Sequence, residues 1–319
     1  MSATMRLLST QDASVSGAST WHGDARGAGS GAASAGGTVP SPGAAQPAIT
    51  RAARPNKLQS RAAKTGAIVR ENVAAPLKST PLVVDVWQLR LRARPDGVAR
   101  SKELLSTQER ARAERFVFSH LHDAYVVAHA GLRRLLAHHI PDVAASDLEF
   151  DTGPHGKPSI RGAGGVEFNL SHSGEHALVA VSRGRPLGVD IEQVRSNVAY
   201  DDVSRHVFSS HEQRALLGAT AADKLSTFFG TWVAKEAYIK AHGMGLVMPL
   251  SSFDIAIAPG QPPRLAQTRP DADQAARWWL LPLAVPDGYY GALVVARDKT
   301  DVAPPTVRRR TLQEELGEL

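Results

Sequence analysis

The chain has 319 residues, enough for one large domain or two moderate ones around a sizeable buried core. It contains no cysteine, which excludes disulfides, zinc–thiolate centres and thiol nucleophiles, and no apolar run approaches the roughly twenty residues of a membrane span. The net charge of +6 points at first to an acidic partner such as nucleic acid, but residues 1–80 carry nine Lys or Arg against three acidic residues. Residues 81–319 therefore balance at 28 against 28, which weakens the nucleic-acid reading.

The first eighty residues read as a disordered basic extension. Gly23–Thr50, GDARGAGSGAASAGGTVPSPGAAQPAIT, is Gly, Ala, Ser and Pro with almost nothing to bury. A dispensable extension or upstream start, a targeting segment and a basic interaction arm all stay open for this head, which lacks the apolar core of a secretory signal.

Order is expected to begin at PLVVDVWQLRL (Pro81–Leu91), where Val84 and Val86 alternate with Val83, Asp85 and Trp87 as in a strand. Ser106–Phe118 predicts a helix with Ser106 as N-cap and Glu109 completing a capping box. His122–His139 predicts another, with Tyr125, Ala128, Leu132, Leu135 and Leu136 at helical spacing. Asp151–Ile160 is a turn-rich loop, Val166–Gly184 two strands joined through Ser-His-Ser-Gly-Glu, and Pro186–Val194 a third strand. Helices are expected over Asp201–Phe208, His211–Leu217 and Asp223–His242, then strands at Ser252–Ala258 and on both sides of the Pro-Asp-Gly turn within Arg277–Arg297. HALVAVSR (His176–Arg183) resembles GALVVAR (Gly291–Arg297). The expected fold is α+β: two similar lobes in a pseudo-two-fold arrangement, each a small antiparallel sheet packed with helices. The lobes would span 81–185 and 186–298, between the extension 1–80 and a polar tail 299–319 that frays or forms a loose helix.

Two stretches carry chemistry. In GVDIE (Gly188–Glu192), strand alternation sends Val189 and Ile191 to one face and Asp190 and Glu192 to the other. The bland reading is a solvated strand face; adjacent like charges nevertheless repel unless a cation compensates them. In WVAKEAYIK (Trp232–Lys240), Trp232, Glu236 and Lys240 share one helical row. Here the bland reading is an i,i+4 Glu–Lys pair, with Trp232 oddly placed in a polar row. Asp190, Glu192 and Glu236 together would suit Mg²⁺, which takes oxygen ligands and keeps waters and substrate phosphates. Lys235, Lys240 and His172 would then meet the phosphates of a phosphorylated or pyrophosphate substrate.

FNLSHSGEHALVAVS, GVDIE and WVAKEAYIK, in that order, resemble the 4'-phosphopantetheinyl transferase superfamily. The closer likeness is to the larger monomeric class that activates peptide synthetase, polyketide synthase and fatty-acid carrier proteins. Its signatures (V/I)G(V/I)D(V/I)E and WxxKEAxxK match Leu187–Glu192, with Leu at the first place, and Trp232–Lys240. The Ser171–Ser173 triplet, the Gly156–Pro158 turn, the Arg112–Phe116 segment and Gly245–Phe253 extend the likeness over roughly residues 81–297.

The resemblance implies transfer of the phosphopantetheine arm of coenzyme A to a serine of an apo acyl or peptidyl carrier protein, with release of adenosine 3',5'-bisphosphate. It implies Asp190, Glu192 and Glu236 as Mg²⁺ ligands, Glu236 as the base for the serine, and Lys240 on the pyrophosphate. His172, Ser171, Lys157, Gly156, Pro158, Arg112, Arg115 and Lys235 would line the coenzyme site. A departure stands at Tyr125, close to where the family places an arginine for the 3'-phosphate, so that contact would pass to Arg110, Arg112 or Arg115. A cytoplasmic monomer without nucleic-acid or membrane partners is expected. Two other readings stay open: another Mg²⁺-dependent phosphoryl or nucleotidyl transferase or hydrolase, and a non-catalytic carrier-protein binding module.

Overall fold

Strand β1 (Val83–Arg90) is buried on both faces, and this double burial organises the fold. Trp87 and Leu89 enter one apolar cluster, while Val84 and Val86 enter another on the opposite face. The computed structural model describes residues 81–195, 199–258 and 261–319. The readings attached to the first eighty residues lie outside the described residues.

After β1 come helices α1 (Pro95–Glu103), α2 (Thr107–Ala113) and α3 (Ser119–His139). Helix α1 starts on a proline, whose fixed φ suits the first helical position, with Asp96 in its first turn. At α2 the expected capping box forms: Glu109 N–H donates to Ser106 Oγ and Ser106 N–H to Glu109 Oε2. Strands β2 (Phe150–Thr152) and β3 (Pro158–Ile160) make a small hairpin inside the turn-rich loop.

Strands β4 (Val166–Ser173), β5 (His176–Arg183) and β6 (Leu187–Gln193) follow, then helices α4 (Tyr200–Val207), α5 (Ser210–Gly218) and α6 (Lys224–His242). The remaining elements are β7 (Phe253–Ala256), β8 (Arg264–Thr268), β9 (Trp278–Pro282), β10 (Tyr289–Ala296), β11 (Thr306–Thr311) and α7 (Leu312–Leu316).

Two sheets dominate, one ordered β11-β1-β5-β4 and the other β6-β10-β9. Helix α3 covers the outer face of the first, burying Leu132, Leu135 and Leu136 with Trp87, Val179 and Phe168. Helix α6 covers the second, burying Val233 and Ala237 with Ala292 and Val294. The inner faces share one cluster, built from Val84 and Val86 of β1, Leu178 and Ala180 of β5, Val189 and Ile191 of β6, and Leu293 and Val295 of β10. The similar stretches noted in the sequence are therefore β5 and β10, each the antiparallel partner of two neighbours in its own sheet. The architecture is α+β.

The polar-tail expectation is corrected. Residues from Lys299 on supply β11, which pairs parallel with β1, and α7, whose Leu312 is fully buried. The cause is Asp85, a carboxylate inside β1: Arg308 and Arg310 of β11 both pair with it, at 2.8 and 3.3 Å. A buried carboxylate needs partners, and they come from far along the chain.

The two sheets meet at an unusual seam. Asn169, Ser171 and Ser173 alternate along β4 with core residues and point at the edge of β6. Val189, Ile191 and Gln193 N–H donate to Asn169 Oδ1, Ser171 Oγ and Ser173 Oγ at 2.8, 3.4 and 3.1 Å. Side chains here do what a backbone ladder does within a sheet.

Helix α6 lies directly on β6. A Cβ added to Gly188 would stand 2.2 Å from the Ala237 carbonyl oxygen and 2.3 Å from the Ala241 nitrogen. Only glycine admits that approach. The helix ends at Gly243, φ 71°, in the left-handed conformation that favours glycine. Gly188→Ala is expected to destabilise the chain by at least the ~1–3 kcal/mol of a typical overpacking substitution, seen as a fall of several degrees in melting temperature. Gly218→Ala, at an exposed position where an added Cβ meets nothing within 4 Å, should melt close to the parent chain.

Candidate active site

Strand alternation in β6 puts Leu187, Val189 and Ile191 into the inner cluster and turns Asp190 and Glu192 towards α6. The row Trp232, Glu236 and Lys240 on α6 faces them. Every residue of α6 from Thr231 to Ile239 is buried, because the helix has core on one side and β6 and β10 on the other. Trp232 is buried. It stacks on Phe228, and its indole N–H reaches towards Glu192 Oε1 at 3.5 Å. The misplaced aromatic in the polar row is thus a neighbour of the carboxylates.

Lys240 Nζ donates to Asp190 Oδ1 at 2.6 Å and to Ser171 Oγ at 2.9 Å. Ser171 and Ser173 hydroxyls donate to Asp190 Oδ1 and Glu192 Oε2, each at 2.7 Å. Burial raises Glu192 to about 8, with the neighbouring Asp190 adding to the shift. Burial likewise raises Glu236 to about 7, against the pull of Lys240. Asp190 is also raised by burial, with Lys240 and Ser171 opposing. Burial disfavours the charge on Lys240, but Asp190 and Glu236 outweigh it and hold the lysine above its ordinary range.

The site holds three buried carboxyl groups for one ammonium. Asp190 Oδ2 and Glu236 Oε1 are buried without a hydrogen-bond partner among the described residues. Three carboxylates and two orphaned oxygens suit a hard divalent cation, whose ligands are oxygens. Among the described residues, however, no three acidic or histidine side chains are disposed so that together they could hold a metal ion. Lys240 and the serines hold one oxygen each of Asp190 and Glu192.

His172 leaves β4 on the face of Leu170 and Phe168, towards α3. Burial, then His129 and Lys240, press its pKa to about 3, so it is neutral. His129 stands nearby on α3. It is buried and stacked on Tyr125 at 3.8 Å, and its Nδ1–H donates to the Tyr125 carbonyl at 2.9 Å. The guanidinium of Arg112 lies 6.0 Å from the Tyr125 ring. The i,i+4 spacing of Tyr125 and His129 was the signal available for this pair.

Lys157 does not point into solvent. Its Nζ donates to the carbonyls of Leu187 at 2.9 Å and Ala241 at 3.1 Å, stapling the β2–β3 turn to β6 and the end of α6. Burial lowers it to about 8. Gly156, φ 88°, shapes that turn, and Pro158 is buried at the start of β3. Arg115 is exposed and forms no ion pair among the described residues.

Lys235 corrects the sequence reading. It is fully buried on the far side of α6, with Nζ 2.7 Å from Glu212 Oε1 and 2.8 Å from the Phe253 carbonyl. Glu212 also accepts from Ser209 and Ile255 N–H. This pair joins α5, α6 and β7 and meets no phosphate. Breaking a buried pair strands a charge, so Lys235→Met is expected to cost about 3–5 kcal/mol in urea unfolding.

The raised carboxylates also set a pH dependence. A group whose folded pKa exceeds its unfolded value gives stability that is complete below the unfolded value and lost as pH rises through the folded one. Glu236 and Glu192 lose theirs up to about 7 and about 8. The depressed histidines act in the opposite sense, below their ordinary 6.5. Lys157 acts only above about 8. Between those limits the carboxylates dominate. The melting temperature measured in chelator is expected to fall as pH rises from about 6.5 to about 8, and to flatten in Glu192→Gln.

A family model described as the 4'-phosphopantetheinyl transferase superfamily matches residues 186–294, the stretch that holds β6, α6 and β10. The 4'-phosphopantetheinyl transferase HetI of Nostoc sp. is 32% identical over 216 residues, covering 67% of this chain and 87% of that protein. The 4'-phosphopantetheinyl transferase psf-1 of Bacillus pumilus is 36% identical over 154 residues, covering 48% and 64%. A Thermotoga maritima holo-[acyl-carrier-protein] synthase structure aligns with 36% of this chain and 64% of its own at 22% identity and a TM-score of 0.29, too low to bear on the architecture. With the relative from Nostoc matched along most of its length, and with both signature stretches meeting at one cluster of carboxylates, the chain belongs to the 4'-phosphopantetheinyl transferase superfamily.

Proposed function

We propose that the chain transfers the 4'-phosphopantetheine moiety of coenzyme A to a serine hydroxyl of an apo acyl or peptidyl carrier protein, releasing adenosine 3',5'-bisphosphate. The observation that carries this reading is the convergence of Asp190, Glu192, Glu236 and Lys240 from β6 and α6 onto one buried cluster of three carboxyl groups and one ammonium. It fits the larger class of the family, in which two similar lobes of one chain complete the site and a monomer suffices. The even charge balance of residues 81–319 fits a small-molecule and protein substrate better than nucleic acid. Among the described residues no helix is long and apolar enough to cross a membrane.

Asp190, Glu192 and Glu236 would hold Mg²⁺, and the bound ion would supply charge neutralisation at the pyrophosphate. Glu236, raised to about 7, is suited to take the proton of the incoming serine near neutral pH. The serine oxygen forms a bond to the phosphorus bearing the pantetheine arm, and the bridging P–O bond breaks with its electron pair going to the bisphosphate. Lys240 offers a cation to that leaving group. His172, neutral in the free chain, can donate an N–H to a coenzyme phosphate, and a bound phosphate would favour its protonation. Arg112, beside Tyr125 and His129, is the arginine best placed to take the part that the family gives to a residue at the Tyr125 position.

Mass spectrometry of an apo carrier protein incubated with the chain, coenzyme A and Mg²⁺ tests the proposal. A mass gain of one phosphopantetheine per carrier is expected, slowed about 10²–10⁴-fold in Glu236→Gln. Absence of any gain across acyl and peptidyl carriers would overturn the reading.

A further inference from the structure

We propose that Asn169, Ser171 and Ser173 act as a positioning comb that sets β6 in register and aims the Asp190 and Glu192 carboxylates at the cation, and that the two serine hydroxyls are not ligands of the coenzyme phosphates. The inference rests on the reading of this site as a cation and pyrophosphate site.

The comb is periodic. Its three teeth sit at every second residue of β4 and take the N–H groups of every second residue of β6, Val189, Ile191 and Gln193. Each serine repeats one unit: it accepts from the N–H just after a carboxylate residue and donates to that carboxylate at 2.7 Å. A hydroxyl has one proton and two lone pairs. Ser171 spends all three, on Asp190, on Ile191 N–H and on Lys240. Ser173 spends its proton on Glu192 and one lone pair on Gln193 N–H. A phosphate oxygen needs a donor, and neither serine has a proton left unless it releases its carboxylate. Both serines are buried, at 4% exposure, which removes water as a substitute partner.

The result is directional. Asp190 Oδ1 is held by Ser171 and Lys240, so Oδ2 is left without a partner. Glu192 is pinned through Oε2, leaving Oε1 with only the long Trp232 approach. A slip of β6 by one residue would carry the carboxylates into the inner cluster and bring Val189 and Ile191 to α6. Asn169, pairing a residue that carries no carboxylate, supplies the third point that fixes register without touching the site.

A mutant cycle on Ser173 and Glu192 separates positioning from packing and from phosphate binding. Binding of Mn²⁺ alone, without coenzyme A, is followed by the paramagnetic resonance of the free ion. Ser173→Ala is expected to weaken Mn²⁺ binding about tenfold or more, the usual effect of removing a group that orients a ligand, with the melting temperature lowered by a few degrees through the lost seam hydrogen bonds and the chain still folded. In the Glu192→Gln background the same change should cost less than about twofold, since the two residues act as one unit. Under turnover, kcat should fall while KM for coenzyme A holds. Should Ser173→Ala fold poorly, Ser173→Cys keeps the volume with a weak donor and should show the same loss. Unchanged Mn²⁺ affinity, losses that simply add, a raised KM with kcat kept, or a parent chain that binds no Mn²⁺ would each overturn the comb. Carrier mass gain by the parent chain judges the transfer reading separately. A chain that transfers without any Ser173 effect sinks only the comb; Ser173-dependent Mn²⁺ binding without transfer sinks only the transferase reading.

Discussion

Everything at the site depends on the contact between the α6 backbone and β6 at Gly188. An added methyl there would overlap the Ala237 carbonyl and the Ala241 amide, so the helix can settle onto the strand only because that residue is glycine. Once it does, a row on the helix and a row on the strand face each other at side-chain distance. Lys240 then reaches Asp190, and Trp232 approaches Glu192. The glycine that opens the GVDIE stretch is therefore part of the site's construction.

The electrostatics follow from the same contact. Three carboxylates taken out of water beside one lysine form a cluster that resists full ionisation, which is why burial dominates the shifts at Asp190, Glu192 and Glu236. Such an arrangement is unfavourable as pure scaffolding, because buried like charges oppose folding. It makes physical sense where a cation arrives with a substrate. The Glu212–Lys235 pair on the other side of the helix shows the contrast. There one carboxylate accepts from one ammonium and two backbone N–H groups, and the ammonium donates also to a carbonyl, so the polar groups answer one another.

Those two lysines show how much of the site was legible. Lys235 and Lys240 lie in one motif, and proximity along the chain made both look like phosphate ligands. Five positions along a helix are roughly 140° apart around its axis, so one helix face could never present both. Helical geometry held that information, and only the partner faces, β6 on one side and α5 with β7 on the other, said which lysine met which environment. Ser171 was legible as a polar residue of the SHS triplet but not as a saturated one, since its partners come from β6 and α6. His129 and His172 come together only in the fold, one on α3 and the other on β4.

By itself the sequence determined what is local and periodic. Alternation placed Asp190 and Glu192 on one face of a strand, the i, i+4, i+8 row joined Trp232, Glu236 and Lys240, and Ser106 with Glu109 made a capping box. These follow from backbone geometry within a few residues. Tertiary structure alone decided that β1 is covered on both faces, that residues beyond Lys299 return to pair with it around Asp85, and that β4 and β6 join through side chains. It also decided that Gly188 lets α6 touch β6. Each of these matches groups far apart along the chain, a buried carboxylate to distant arginines or a missing Cβ to a helix backbone, and no local pattern encodes which distant partner completes the match.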